Sequence, residues 1–211
     1  MTEILSTIST MVIEGNFADM VDKTNAALEE GLAAEEILNK GLMPGMDHVG
    51  VEFKAGNMFV PEVLRSAKAM QEAMNIIRPL LAEADAETSG KVLLGTVKGD
   101  LHDIGKNLVG MMLEGAGFEI YDLGTDVPPE KFIGVINEEE VDILAMSALL
   151  TTTMPMMETT IKAVDEAGLR DAVKIIIGGA PVTNEYAEKI GADGFAPDAS
   201  QAASLAKTLV S

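Results

Sequence analysis

The chain has no cysteine and no tryptophan. Without thiolates it can form no disulfide, no iron–sulfur cluster and no cysteine nucleophile. It also lacks any run of about 18 apolar, uncharged residues, so no segment is expected to span a membrane. The opening MTEILSTIST carries no basic stretch ahead of an apolar run and does not read as a signal peptide, and a cytoplasmic protein is expected. Basic residues are few. Fifteen Lys and Arg stand against 34 Asp and Glu, for a formal net charge of −19. Such a surface repels nucleic acid phosphates, which argues against a DNA or RNA partner. Aromatic residues make up 4% of the chain, while methionine is abundant at 14 residues and suits irregular apolar surfaces. With 211 residues, 47% of them hydrophobic, the chain can bury two modest cores.

The two halves of the chain are patterned differently. Through residues 1–82 apolar positions recur at three and four. One face is Ile4, Leu5, Ile8, Met11 and Val12; the next is Phe17, Met20, Val21, Thr24 and Leu28. Ile37, Leu38, Leu42, Met46 and Val49 form a third, bent at Pro44. A fourth runs through Val63, Leu64, Ala67, Met70, Met74, Ile77 and Leu81 behind Pro61, which the first turn of a helix tolerates. A four-helix bundle follows. Residues 83–90, EADAETSG, read as a linker. Beyond it, short apolar runs alternate with helical segments, beginning with Val92–Val97 and Ile104–Gly115 and ending with Gly194–Ala196 and a helix to about Leu209. That alternation predicts a doubly wound parallel sheet, in which ligands bind beyond the carboxyl ends of the strands.

Those strand ends carry unusual residues. The first loop reads Gly95-Thr-Val-Lys-Gly99-Asp100-Leu101-His102-Asp103-Ile104-Gly105-Lys. Its glycines lack the GxGxxG spacing, so a pyrophosphate cradle is disfavoured. Its distinctive feature is Asp100-x-His102. Alternate side chains of an extended segment point the same way, so the carboxylate can reach one imidazole nitrogen. That contact sets the tautomer and raises the basicity of the other nitrogen, as in prepared metal ligands. One histidine cannot hold a bare ion, but it can serve a metal already held by a macrocycle. Three further loops leave the same edge. These are Ser147-Ala-Leu149-Leu-Thr151-Thr152-Thr153, then Gly178-Gly179-Ala180, and last Ala196-Pro-Asp198-Ala199-Ser200. Taken alone, Thr151–Thr153 would also serve as a helix N-cap cluster, and His48 as a residue that caps or packs a bundle helix.

GTVKGDLHDIGKN, with Ser147-x-Leu149 and Gly178-Gly179 downstream, resembles the DxHxxG…SxL…GG signature of cobalamin-binding domains. GNMFVPEVLRSAKAM resembles the cap domain of cobalamin-dependent methionine synthase. The whole length, with SALLTTTMP, is similar to corrinoid proteins of methanol, methylamine and quaternary-amine methyltransferase systems. The resemblance implies a helical cap at 1–87 and a Rossmann-like, flavodoxin-like domain at 88–211. It implies a base-off corrinoid with His102 on cobalt, Asp100 orienting His102, and Thr153 as the third member. Leu101, Asp103, Ile104, Gly105, Ser147, Leu149, Thr151, Gly178, Gly179, Ala180, Asp198 and Ala199 would line the cofactor. The two adjacent glycines would leave room for its tail, and Met58, Phe59 and Val63 would cover its upper face. The implied activity is methyl carriage between a substrate-specific methyltransferase and a second one serving tetrahydrofolate or a thiol coenzyme, with a reductive activation protein. SALLTTTMP leans toward an amine donor; methanol or a methoxylated compound stays open. Rival classes are a subunit of an adenosylcobalamin mutase and a cobalamin-sensing regulator. The helical cap argues against the first. The second needs a DNA-binding element, and none is visible.

Overall fold

A computed structural model describes residues 3–83 and 88–210. The chain divides into two compact units, with the division at Thr88 and Ser89. Four of the eight residues of the expected linker, 84–87, lie outside the described residues.

The first unit is helical. α1 (Glu3–Glu14) buries Ile4, Leu5, Ile8, Met11 and Val12, the face that the periodicity marks. α2 (Met20–Glu29) is rotated from its expected phase. It buries Met20, Thr24 and Ala27, and Val21 is exposed. The small Ala27 completes the i, i+3, i+4, i+7 stripe, and Thr24 satisfies its hydroxyl on the Met20 carbonyl at 2.8 Å. α3 (Ala34–Ile37) and α4 (Met43–Lys54) are joined by a π-helical turn at Leu38–Leu42. The break therefore falls ahead of Pro44. Pro44 has no N–H for the Lys40 carbonyl and its ring would crowd that carbonyl; widening the turn removes the clash. The wider pitch shows in Met43 N–H, which donates to the carbonyl of Leu38, five residues back. His48 is exposed on α4 and does not pack in a core. α5 (Val60–Glu83) has Pro61 in its first turn and buries Val63, Ala67, Met70, Met74 and Ile77. Phe59 is exposed and Met58 partly so, whereas Val63 is fully buried. The burial of Val63 matches its place on the fourth apolar stripe, and Val60 and Leu64 are its exposed neighbours.

The second unit is a five-stranded parallel sheet, β1 (Lys91–Thr96), β2 (Glu119–Asp122), β3 (Ile143–Ser147), β4 (Lys174–Gly178) and β5 (Gly194–Ala196), in the order β2-β1-β3-β4-β5. Its central strands are continuous apolar runs such as Val92–Leu94, Ile143–Met146 and Ile175–Ile177, all buried, as a sheet covered on both faces requires. The crossovers are α6 (Ile104–Gly115), α7 (Pro129–Glu139), α8 (Pro155–Glu166) and α9 (Asn184–Ile190), and α10 (Ala199–Val210) follows β5. The strand order reverses between β1 and β3, the point at which such sheets bind ligands. The register sharpens this. Thr96 pairs with Ser147, Ser147 with Gly178, and Gly178 with Ala196, so all four loops named above leave one transverse row.

Candidate functional site

The loop after β1 is built around Asp100, whose side chain is completely buried. Both of its oxygens are used. Oδ1 accepts from His102 Nδ1 at 2.7 Å and from the His102 backbone N–H at 3.1 Å. Oδ2 accepts from Thr153 Oγ1 at 2.6 Å, Leu149 N–H at 2.8 Å and Leu150 N–H at 3.3 Å. Burial by itself would push the carboxyl up. The bonds from Thr153, His102 and Leu149 outweigh it and hold Asp100 well below the usual carboxylate range. An ionised carboxylate only accepts, so Nδ1 of His102 is the donor in this contact. The His102 side chain is half exposed, and no described residue occupies Nε2. Among the described residues, no group of three or more acidic, His or Cys side chains could hold a bare metal ion.

Thr153 has one hydroxyl proton and two nearby acceptors, Asp100 and the Leu150 carbonyl at 2.9 Å. The shorter bond to the buried charge takes it. Thr153 gives no side-chain cap to α8, so the capping role does not materialise. Thr151 and Thr152 are exposed on the same loop.

Two contacts that the sequence does not advertise steady the loop. The fully buried Thr96 donates its hydroxyl to the His102 carbonyl at 2.9 Å. A hydroxyl at the last position of an apolar strand is the only sign of it. The buried Lys106 donates its ammonium to Asp122 at the end of β2 and to Asn107 Oδ1 at 2.7 Å, which ties the start of α6 to the sheet. Asp103 takes part in that helix start; its carbonyl accepts from Asn107 N–H at 2.7 Å.

The glycine pair answers to the protein itself. Gly179 has φ +134°, and a Cβ there would come 1.9 Å from the Ala148 carbonyl oxygen; one on Gly178 would come 3.0 Å from that of Ala196. Close contact between adjacent strand ends thus bars a side chain at Gly179 and crowds one at Gly178, whatever further room a ligand needs there. Asp198 is likewise taken up, since it accepts from Gln201 N–H at 2.8 Å and Gln201 Nε2 at 2.6 Å as α10 begins. Ala199 is buried, whereas Ala180 is exposed.

What remains open suits a broad, largely apolar group. Leu101 and Ile104 are 72% and 74% exposed on either side of His102, and Leu149 and Leu150 are also exposed. A patch of exposed leucine and isoleucine beside a prepared imidazole marks a binding surface. A Cβ on Gly105 would meet nothing within 4 Å, so open space borders the first turn of α6. One nitrogen ligand set in an apolar surface fits a metal carried in a flat macrocycle.

Fold and site together define a carrier of such a macrocycle, an α/β protein that offers one imidazole at the switch point of its sheet. A family model described as a B12 binding domain matches residues 90–204, and a second of the same description matches residues 4–78. Dimethylamine corrinoid protein 1 of Methanosarcina acetivorans is 44% identical over 193 residues, which covers 90% of this chain and 91% of that protein. A cobalamin-binding protein from Desulfitobacterium hafniense superposes with a TM-score of 0.79 at 31% identity, over 98% of both chains. A chain of the methanol:cobalamin methyltransferase complex from Methanosarcina barkeri superposes with a TM-score of 0.84 at 30% identity, over 99% of this chain and 80% of that one. The chain belongs to the B12-binding corrinoid proteins of methyltransferase systems. No helix among the described residues is long and apolar enough to cross a membrane.

Proposed function

We propose that this chain is a cytoplasmic methyl carrier that holds its corrinoid base-off, with the Nε2 of His102 on cobalt. The observation that carries the reading is the 2.7 Å contact between buried Asp100 and His102 Nδ1, which commits that nitrogen to the carboxylate and leaves Nε2 as the ring atom open to a metal, on a half-exposed side chain. The bound corrinoid supplies a cobalt centre that accepts a methyl group in its reduced state and passes it on. The protein's part is to orient one nitrogen and to adjust its basicity. Asp100 does this through Nδ1, and Thr153 tunes Asp100 through the other oxygen. Asp100 would hold the Nδ1 proton within hydrogen-bond reach whether or not the ring were on the metal. The likeness to a dimethylamine corrinoid protein favours a methylated amine as the donor. A substrate-specific methyltransferase would deliver the methyl group, and a second one, serving tetrahydrofolate or a thiol coenzyme, would remove it. A reductive activation protein would recover oxidised cobalt.

Reconstitution with hydroxocobalamin tests this. One corrinoid should bind per chain, and paramagnetic resonance of the cob(II) form in 15N-histidine-labelled protein should show a histidine nitrogen on cobalt. A benzimidazole nitrogen there, or no binding, would sink the reading.

Gly105 gives a separate check. Alanine at this helical position should stabilise the protein without corrinoid by about 0.5–1 kcal/mol, because nothing stands where the methyl would go. The same methyl should crowd the corrinoid and weaken its binding by about tenfold, the usual scale of overpacking. Chemical unfolding and corrinoid titration measure the two effects. Unchanged affinity in Gly105→Ala would mean that the cofactor does not approach α6.

A further inference from the structure

Asp126 lies on the loop between β2 and α7, far in sequence from the histidine, and it is one of two described non-glycine residues with positive φ, at +55°. Aspartate tolerates that conformation better than most residues, yet it remains a costly place for a side chain. What holds it there is contact with the β1 loop. Its Oδ1 accepts from Gly99 N–H at 2.7 Å, and its own N–H donates to the Asp100 carbonyl at 3.0 Å. Asp126 thus grips both peptides that flank the Asp100 nitrogen.

The gripped segment is a β-turn. Asp100 N–H donates to the Val97 carbonyl at 3.1 Å, and Gly99, third in the turn, has φ +84°. A positive φ at that place is the type II pattern. Types I and II differ by a flip of the central peptide, here the one between Lys98 and Gly99, and glycine accepts either form at little cost. The turn's own hydrogen bond does not choose between them, because it does not use the Gly99 N–H. Only when the peptide is in the type II orientation does that N–H meet the Asp126 carboxylate. A flip would leave the carboxylate without this donor and tilt the backbone on which Asp100 rides. The effect would reach the histidine, since Asp100 holds His102 through both its ring and its backbone N–H.

We propose that Asp126 is a positioning residue for the cobalt ligand: its carboxylate and backbone N–H lock the Val97–Asp100 turn in the form that aims Asp100, and through it the His102 ring. This rests on the reading of His102 as the ligand, and the test separates the two ideas.

Asp126→Ala, Asp126→Gly and Asp126→Asn are compared with the unaltered full chain by two measurements. The first is hydrogen exchange of the Gly99 amide in protein without corrinoid. The second is the ratio of histidine-ligated to unligated cob(II) in hydroxocobalamin-reconstituted, 15N-histidine-labelled protein. Glycine removes the strain at position 126 together with the acceptor, so it isolates the carboxylate even if alanine fails to fold. In Asp126→Gly the Gly99 amide should exchange about tenfold faster, and the ligated-to-unligated ratio should fall about tenfold, the lower end of what support groups around a metal ligand contribute. Asparagine keeps an acceptor oxygen and favours positive φ, so Asp126→Asn should lie nearer the unaltered protein than Asp126→Gly. Unchanged exchange in Asp126→Gly overturns the lock, and faster exchange with an unchanged ratio overturns the positioning role. Asparagine as impaired as glycine overturns the acceptor role of the carboxylate. If the unaltered protein shows no histidine nitrogen on cobalt, the ligand reading and the role built on it fall together, while the exchange result still decides whether Asp126 holds the turn.

Discussion

In His102→Ala the cob(II) resonance is expected to lose its histidine nitrogen while much of the corrinoid stays bound. The exposed apolar surface at Leu101, Ile104, Leu149 and Leu150 is untouched by the change, and contact there does not need the imidazole. The larger effect should be on the cob(II)/cob(I) couple. A nitrogen below the metal stabilises the higher oxidation states, so its removal favours cob(I) and moves the midpoint to a more positive potential. Each tenfold change in relative ligation is worth about 59 mV for one electron. The shift should be about 60 mV or more, the equivalent of at least a tenfold loss of ligation. Redox titration with spectroscopic detection reads it directly. A midpoint equal to that of the unaltered protein would show that His102 does not ligate cobalt. Thr153→Ala should move the potential by less, because it acts through the carboxylate and not on the metal.

Asp100→Ala should be the most damaging single change at the site for the folded protein. Asp100 is buried and accepts from Thr153, Leu149, Leu150 and His102. Thr153 can turn to the Leu150 carbonyl, but the backbone N–H groups of Leu149 and Leu150 lose their acceptor. A donor left unpaired costs about 1–3 kcal/mol when fully buried and less where water reaches it, so the total should be about 2–3 kcal/mol. Asp100→Asn keeps one acceptor oxygen but turns an NH2 toward donors, so it should lose stability as well, by less. The pH dependence has a definite sign. The folded protein holds the Asp100 carboxyl below its unfolded value, so the ionised form favours folding. That contribution is complete above the ordinary aspartate value of about 3.9 and is lost as the pH falls toward the lower, folded value. The stability gap between the unaltered protein and Asp100→Asn should therefore be flat from about pH 5 to 8 and shrink below about pH 4. Denaturant unfolding across that range measures it. A gap that persists undiminished at pH 3 would mean that the carboxylate charge is not what the loop is built on.

Local chemistry by itself determined a good part of this protein. The three-and-four spacing of apolar residues is a short-range signal; α1 buries the face it marks, and α5 buries most of its own, with Leu64 left exposed. Continuous apolar runs between helical segments specify a doubly covered parallel sheet, and the sheet is there. Asp100 and His102 are two residues apart, close enough for the pair to be read directly from the chain. Tertiary structure decided what depends on groups distant in sequence. The second oxygen of Asp100 is satisfied by residues 49 to 53 positions away, and only the placement of β3 beside β1 brings them there. The same register puts the Ala148 carbonyl against Gly179, so that a side chain there would not fit. Asp126 reads in the sequence as one more acidic turn residue. Its part appears only when the sheet order sets the loop after β2 against the loop after β1, because a hydrogen bond acts over about 3 Å and the chain separates its partners by 27 residues.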